Sequence, residues 1–159
     1  MFEIGNKVVY PMHGAGVIIE IEQQEYLGKE CPYYVIRLLN NEMQVMLPVE
    51  KADQLGLRCV NGMERLKDVY VVLAGCARVL PENWNHRYRS NMEKLKTGRI
   101  QDMAEVIKDL YLRDREKGLS TGEKKMLENA LEILISEISL SSEMDRADVR
   151  RELLSCMQE

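Results

Sequence analysis

Gly16-Val-Ile-Ile-Glu-Ile-Glu22 decides the fold class of the first third of this chain. Read with a period of two, Val17, Ile19 and Ile21 share one face, while Ile18, Glu20 and Glu22 share the other. Upstream, Lys7-Val-Val-Tyr-Pro11 is a short apolar strand, and His13-Gly-Ala-Gly16 supplies turn chemistry. Downstream, Gly28-Lys29 breaks the chain, Tyr33 to Leu39 forms another strand, and Asn40-Asn41 marks a hairpin because both residues tolerate positive φ. Met43, Val45 and Leu47 then alternate with Gln44 and Met46 as far as Pro48. Four or five short strands joined by tight turns predict a small antiparallel β-barrel of SH3 or Tudor type.

Beyond residue 62 the apolar period changes to 3.6. Met103, Val106, Ile107 and Leu110 fall at helical spacing, as do Leu127, Ala130, Leu131, Leu134 and Ile138. Gly118 follows Lys117 as a C-terminal cap, and Ser120-Thr-Gly-Glu123 has the pattern of a capping box. Five helices are expected, over residues 62–74, 83–97, 100–116, 121–140 and 145–157. The predicted fold is therefore α+β: a Tudor-like barrel at 1–58 and a compact helical bundle at 62–159, with the break near residues 56–62.

The chain has 159 residues, 45% hydrophobic and 30% charged, enough apolar material for a core. That excludes a disordered tail, a collagen-like fibre and a disulfide-stapled miniprotein. The start, Met-Phe-Glu-Ile-Gly, lacks the basic and apolar regions of a signal peptide. The longest uncharged apolar stretch, Val69 to Ala77, is about half of what a membrane helix requires. Cys31, Cys59, Cys76 and Cys156 are scattered with no Cys-x-x-Cys pair, and a domain of this size does not need disulfides. Reduced thiols in a cytoplasmic protein are the expectation.

The net charge of −4 excludes a uniformly basic nucleic-acid coat, but the charge is unevenly spread. Residues 78–100 carry Arg78, Arg87, Arg89, Lys94, Lys96 and Arg99 against only Glu82 and Glu93, whereas residues 126–159 are strongly acidic. A small docking patch for DNA phosphates fits this pattern, and so does a solvated helix face. Inside the basic stretch lies the single tryptophan, in Asn83-Trp84-Asn85-His86-Arg87-Tyr88-Arg89. Trp84, Arg87, Tyr88 and Asn91 recur at i, i+3, i+4 and i+7, so they project from one side of a helix capped by Asn83. The free amides of that helix start suit an anion. An aromatic flanked by arginines could stack on a base or wedge into a minor-groove step. On residue type alone, however, Trp84 is favoured as a core anchor.

Catalytic readings find little support. Neither phosphate-loop motif surrounds His13-Gly14. The two histidines and four cysteines are not clustered as a nucleophile pair or a metal site would need. No catalytic residue, metal, cofactor, small-molecule substrate or membrane partner is expected.

Gly5-x-x-Val-Val-Tyr-Pro-x-His-Gly-x-Gly16, Asn83-Trp-x-x-Arg-Tyr-x-x-Asn-x-Glu-Lys-Leu-x-x-Gly98 and Leu119-Ser-x-Gly-Glu-Lys-x-Met-Leu127 together resemble the CarD/CdnL family of bacterial transcription regulators. Ala104-Glu-Val-Ile-Lys-Asp-Leu110 matches as well, so the resemblance spans nearly the whole chain. It implies a Tudor-like module that adds an edge strand to the β subunit of RNA polymerase, carried over to Tyr34, Ile36, Leu38, Gln44, Met46 and Pro48. Some relatives place a basic residue where this chain has Gln44 and Met46, which leaves main-chain pairing as the expected contact. The helical part is implied to contact promoter DNA at the upstream edge of the melted bubble. Trp84 would enter the minor groove there, with Arg87, Arg89 and Lys124 on phosphates and little sequence reading. The rival reading is a protein-interaction adaptor that touches no DNA, with Trp84 in the core. Exposure of Trp84 separates the two.

Overall fold

The computed structural model describes residues 1–75 and 80–158, so Cys76, Arg78 and the end of the Val69–Ala77 stretch lie outside the described residues. Five strands come first: β1 (Lys7–Tyr10), β2 (Gly14–Tyr26), β3 (Lys29–Leu38), β4 (Gln44–Pro48) and β5 (Arg58–Cys59). All neighbours are antiparallel, in the order β4-β3-β2-β1-β5. Among the described residues, five helices follow: α1 (Met63–Ala74), α2 (Trp84–Lys96), α3 (Ile100–Glu116), α4 (Thr121–Ser142) and α5 (Arg146–Met157). The fold is α+β, with a Tudor-like sheet preceding a helical bundle.

The alternation expected along β2 breaks at its centre. The pairing of β2 with β3 shifts between Ile18 and Glu20, a bulge that inserts one residue. An inserted residue reverses which side chains face inward beyond it. Ile18 is fully buried, and Ile21, three residues later, packs against the same core. The expected grouping of Val17, Ile19 and Ile21 on one face is therefore wrong, because a strict period of two does not survive the bulge. Next to this bend, Gly16 lies against β3: a Cβ there would sit 2.2 Å from the Arg37 carbonyl oxygen.

The β3–β4 hairpin also differs from its expected form. Glu42, with φ of 56°, adopts the left-handed conformation rather than Asn40 or Asn41. The Asn40 side chain instead donates to the His13 carbonyl at 3.2 Å, tying this loop to the β1–β2 turn.

Two cores result. Val8, Ile18, Tyr34, Ile36, Leu38, Leu47, Ala52 and Leu57 fill the sheet. Leu73, Ile107, Leu110, Leu134 and Leu153 are among the residues at the centre of the helical core. At the longest helix, α4, the two parts meet. Ser136 Oγ accepts from the buried Ala15 amide at 3.0 Å, and the fully buried Glu137 accepts from Arg58 and Asn61. Arg58 Nε also donates to the Gly98 carbonyl at 2.8 Å, so one guanidinium joins β5, α4 and the turn between α2 and α3.

Candidate protein and nucleic-acid interfaces

Two surfaces carry the residues singled out by the sequence. The first is the outer edge of the sheet. Because β4 is terminal, its far side pairs with no strand among the described residues. The Leu38 amide donates to the Met43 carbonyl at 2.9 Å, which sets the phase of the ladder. In an antiparallel pair inward and outward bonding alternate. Val45 and Leu47 therefore bond toward β3, while the amides of Gln44 and Met46 point to the open side. Pro48, which has no amide hydrogen, falls where a donor toward β3 is not required. Met46 is 45% exposed, and Met43 is exposed beside it.

Tyr34, Ile36 and Leu38 do not belong to this edge. Their strand, β3, is paired on both sides, and their side chains are buried in the core of the sheet. The expectation that they face a partner is corrected. These three side chains form part of the sheet's core, where the Tyr34 hydroxyl accepts from the Phe2 amide at 2.9 Å, and a strand with two neighbours has no unpaired ladder groups to offer.

The second surface is the end of the helical bundle where α2 and α4 begin. Trp84 is the first residue of α2 and is 52% exposed, so the core-anchor reading is wrong. Its place on the first turn, at the end of the helix, leaves half of the indole in solvent. Asn83 caps the helix by accepting from the Asn85 and His86 amides at 3.0 and 3.2 Å. Those two donors, which the sequence reading offered to an anion, are thereby engaged.

Arg87, one turn further, is not on the surface. It is 4% exposed and grips the fully buried Glu123 of α4, Nε to Oε2 at 2.6 Å and Nη2 to Oε1 at 2.8 Å. The hydrogen bond from Arg87 holds the Glu123 carboxyl below its usual range, and the same bond raises Arg87 further. A phosphate could reach this guanidinium only by displacing a buried carboxylate. Tyr88 is half-buried beside Gly122, and Asn91 is buried, so the expected face of α2 exists but looks inward except at Trp84.

The other basic residues divide. Arg89 and Lys96 are exposed on α2, and Lys124 is exposed on α4 directly after Glu123. Lys94 pairs with Glu105, and Arg99 pairs with Asp102 at 3.0 Å. Thus much of the positive charge counted in residues 78–100 is met by carboxylates from α3 and α4. Sequence reading missed Glu123 as an organiser of this end. It had the capping box but no signal for the partner on α2.

Against this geometry, residues 2–61 match the family described as CarD-like/TRCF RID domain, and residues 68–154 match CarD, C-terminal domain. The chain belongs to the CarD family. It is also similar to YdeB of Bacillus subtilis (strain 168), whose name describes it as a candidate transcription factor. The two are 45% identical over 142 residues, covering 88% of this chain and 92% of YdeB. Family membership places the chain among the CarD-like transcription factors. Among the described residues, no helix is long and apolar enough to cross a membrane.

Proposed function

We propose that this CarD-family chain docks on the β subunit of RNA polymerase through the open edge of β4. From there it stabilises the melted promoter by contacting DNA at the upstream edge of the bubble, with Trp84 as a minor-groove wedge. Gln44, Met46 and Pro48 are the polymerase-facing residues in this reading, and Trp84, Arg89 and Lys124 the DNA-facing ones. The carrying observation is the position of Trp84, a half-exposed indole on the first turn of a helix that also carries the exposed Arg89.

Physical magnitudes support it. Unstacking a base step costs a few kcal/mol, but at the bubble edge the polymerase has already opened the duplex. A further ~1.4 kcal/mol of stabilisation shifts the open-to-closed ratio about tenfold. Tethering to polymerase raises the local concentration, so a net charge of −4 is compatible with a DNA-facing role. Main-chain pairing at β4 needs no charged side chain, which suits Gln44 and Met46. The protein would then act wherever polymerase does, in the cytoplasm.

The test is open-complex lifetime on one promoter with bacterial RNA polymerase, comparing no addition, wild type and Trp84→Ala. Lengthening by wild type but not by the variant supports the wedge. Equal lengthening by both sinks it and assigns stabilisation to phosphates or polymerase alone. No lengthening by either, with polymerase binding intact, makes the protein an adaptor.

A further inference from the structure

Arg87 is the only predicted DNA-facing side chain that the fold buries, and its contacts give it a different task. Two of its nitrogens hold Glu123 in a bidentate pair. Its remaining terminal nitrogen, Nη1, donates to the carbonyls of Pro81 and Glu82 at 3.0 and 3.2 Å. Those carbonyls belong to the segment that enters α2 just before Trp84. One planar group therefore holds both the approach to the helix and, three residues after Trp84, the helix itself.

Glu123 is tied down on its own side. Its Oε1 accepts from Ser120 Oγ at 3.0 Å and from the Ser120 amide at 3.4 Å, while Ser120 Oγ accepts from the Glu123 amide at 3.2 Å. The start of α4, including the neighbouring Lys124, thus shares one hydrogen-bonded support with the start of α2. A buried ion pair is a poor source of net stability, since desolvation offsets much of the attraction. A fork-to-fork pair does impose direction, because both donors must meet both oxygens in one plane.

We propose that Arg87 and Glu123 are positioning residues that fix the angle at which the Trp84 indole leaves the bundle. They do not themselves contact DNA. This rests on the wedge reading for its consequence at the promoter, though the support of the indole can be measured without any promoter.

The experiment uses the full chain with Arg87→Lys, which keeps the charge and removes the fork. Trp84 is the only tryptophan, so fluorescence anisotropy and acrylamide quenching report its fixation directly. The expected result is lower indole anisotropy and open complexes several-fold shorter-lived than with wild type, with polymerase binding retained. In a Trp84→Ala background, Arg87→Lys should shorten the lifetime no further, because its effect runs through the indole. Should Arg87→Lys fail to fold, Glu123→Gln, which keeps an acceptor for Ser120, takes its place in the same comparison. An unchanged indole overturns the proposal, and so does an equal loss of lifetime with and without Trp84. If the indole loosens while Trp84→Ala itself leaves the lifetime unaltered, the wedge reading is what fails. The promoter consequence then falls with it, and the pair remains only the support of the indole.

Discussion

Glu137 on α4 accepts from both terminal nitrogens of Arg58 on β5, at 2.9 and 2.8 Å, and from the amide and side chain of Asn61 at 2.8 and 3.0 Å. Four donors satisfy one fully buried carboxylate, and all come from the sheet side of the molecule or the segment just after it. Ser141 Oγ donates to the Asn61 carbonyl at 2.7 Å, and Arg146 to the Asn40 carbonyl at 3.0 Å, extending the seam along α4 and into α5. The turn before β4 and the segment after β5 are thus tied to α4 and α5 along one hydrogen-bonded seam.

Glu137→Ala should therefore destabilise the protein and loosen the sheet from the helices. Removing one partner of a fully buried pair costs roughly 3–5 kcal/mol. Arg58 retains 24% side-chain exposure, so about 2–3 kcal/mol is expected here. Urea unfolding followed by Trp84 fluorescence and far-UV circular dichroism would show it, and coincident, unshifted transitions would refute it.

Met46→Pro probes the sheet edge. The Met46 amide points to the open side of β4, so proline there removes an outward donor and spares the ladder to β3. Binding to RNA polymerase should weaken at least several-fold while the melting temperature stays close to wild type. Unchanged binding would rule out pairing along β4.

Acid stability should depend on Glu123. Its carboxyl, held low chiefly by the hydrogen bond from Arg87, titrates below the unfolded value of about 4.3. The stabilisation is complete above that value and is lost as pH falls through the lower folded-state pKa. Wild type should thus lose stability in this window more steeply than Glu123→Gln. Parallel acid-denaturation profiles for the two proteins would contradict the pairing.

Gly16→Ala should disrupt the sheet rather than stiffen it. The added methyl would lie 2.2 Å from the Arg37 carbonyl oxygen, a backbone atom that cannot swing aside. A loss of about 3 kcal/mol or more is expected, beyond ordinary overpacking. Expression of the variant with wild-type thermal stability would show that β2 and β3 separate more easily than their pairing suggests.

Much of the architecture was legible without coordinates. The helix at 100–116 is found with its expected bounds, and the capping box at Ser120 and Glu123 starts α4 where the pattern put it. Such signals are local: a helical period or a cap is complete within about four residues, so its physics is written in consecutive letters. The three motifs likewise sufficed to identify the family, since they record residue order and spacing.

What only the tertiary structure decided is which side of each element meets another. The bulge at Ile18–Glu20 depends on β3, and the open edge belongs to β4 because β3 already has two neighbours. Arg87 is buried against Glu123, 36 residues away in sequence, and α4 meets the sheet through Ala15 and Ser136, 121 residues apart. No local pattern encodes such pairs, because their formation depends on how the whole chain closes. Trp84 shows the difference most plainly: its residue type favours burial, and its place at the outer end of a packed helix leaves it half in solvent.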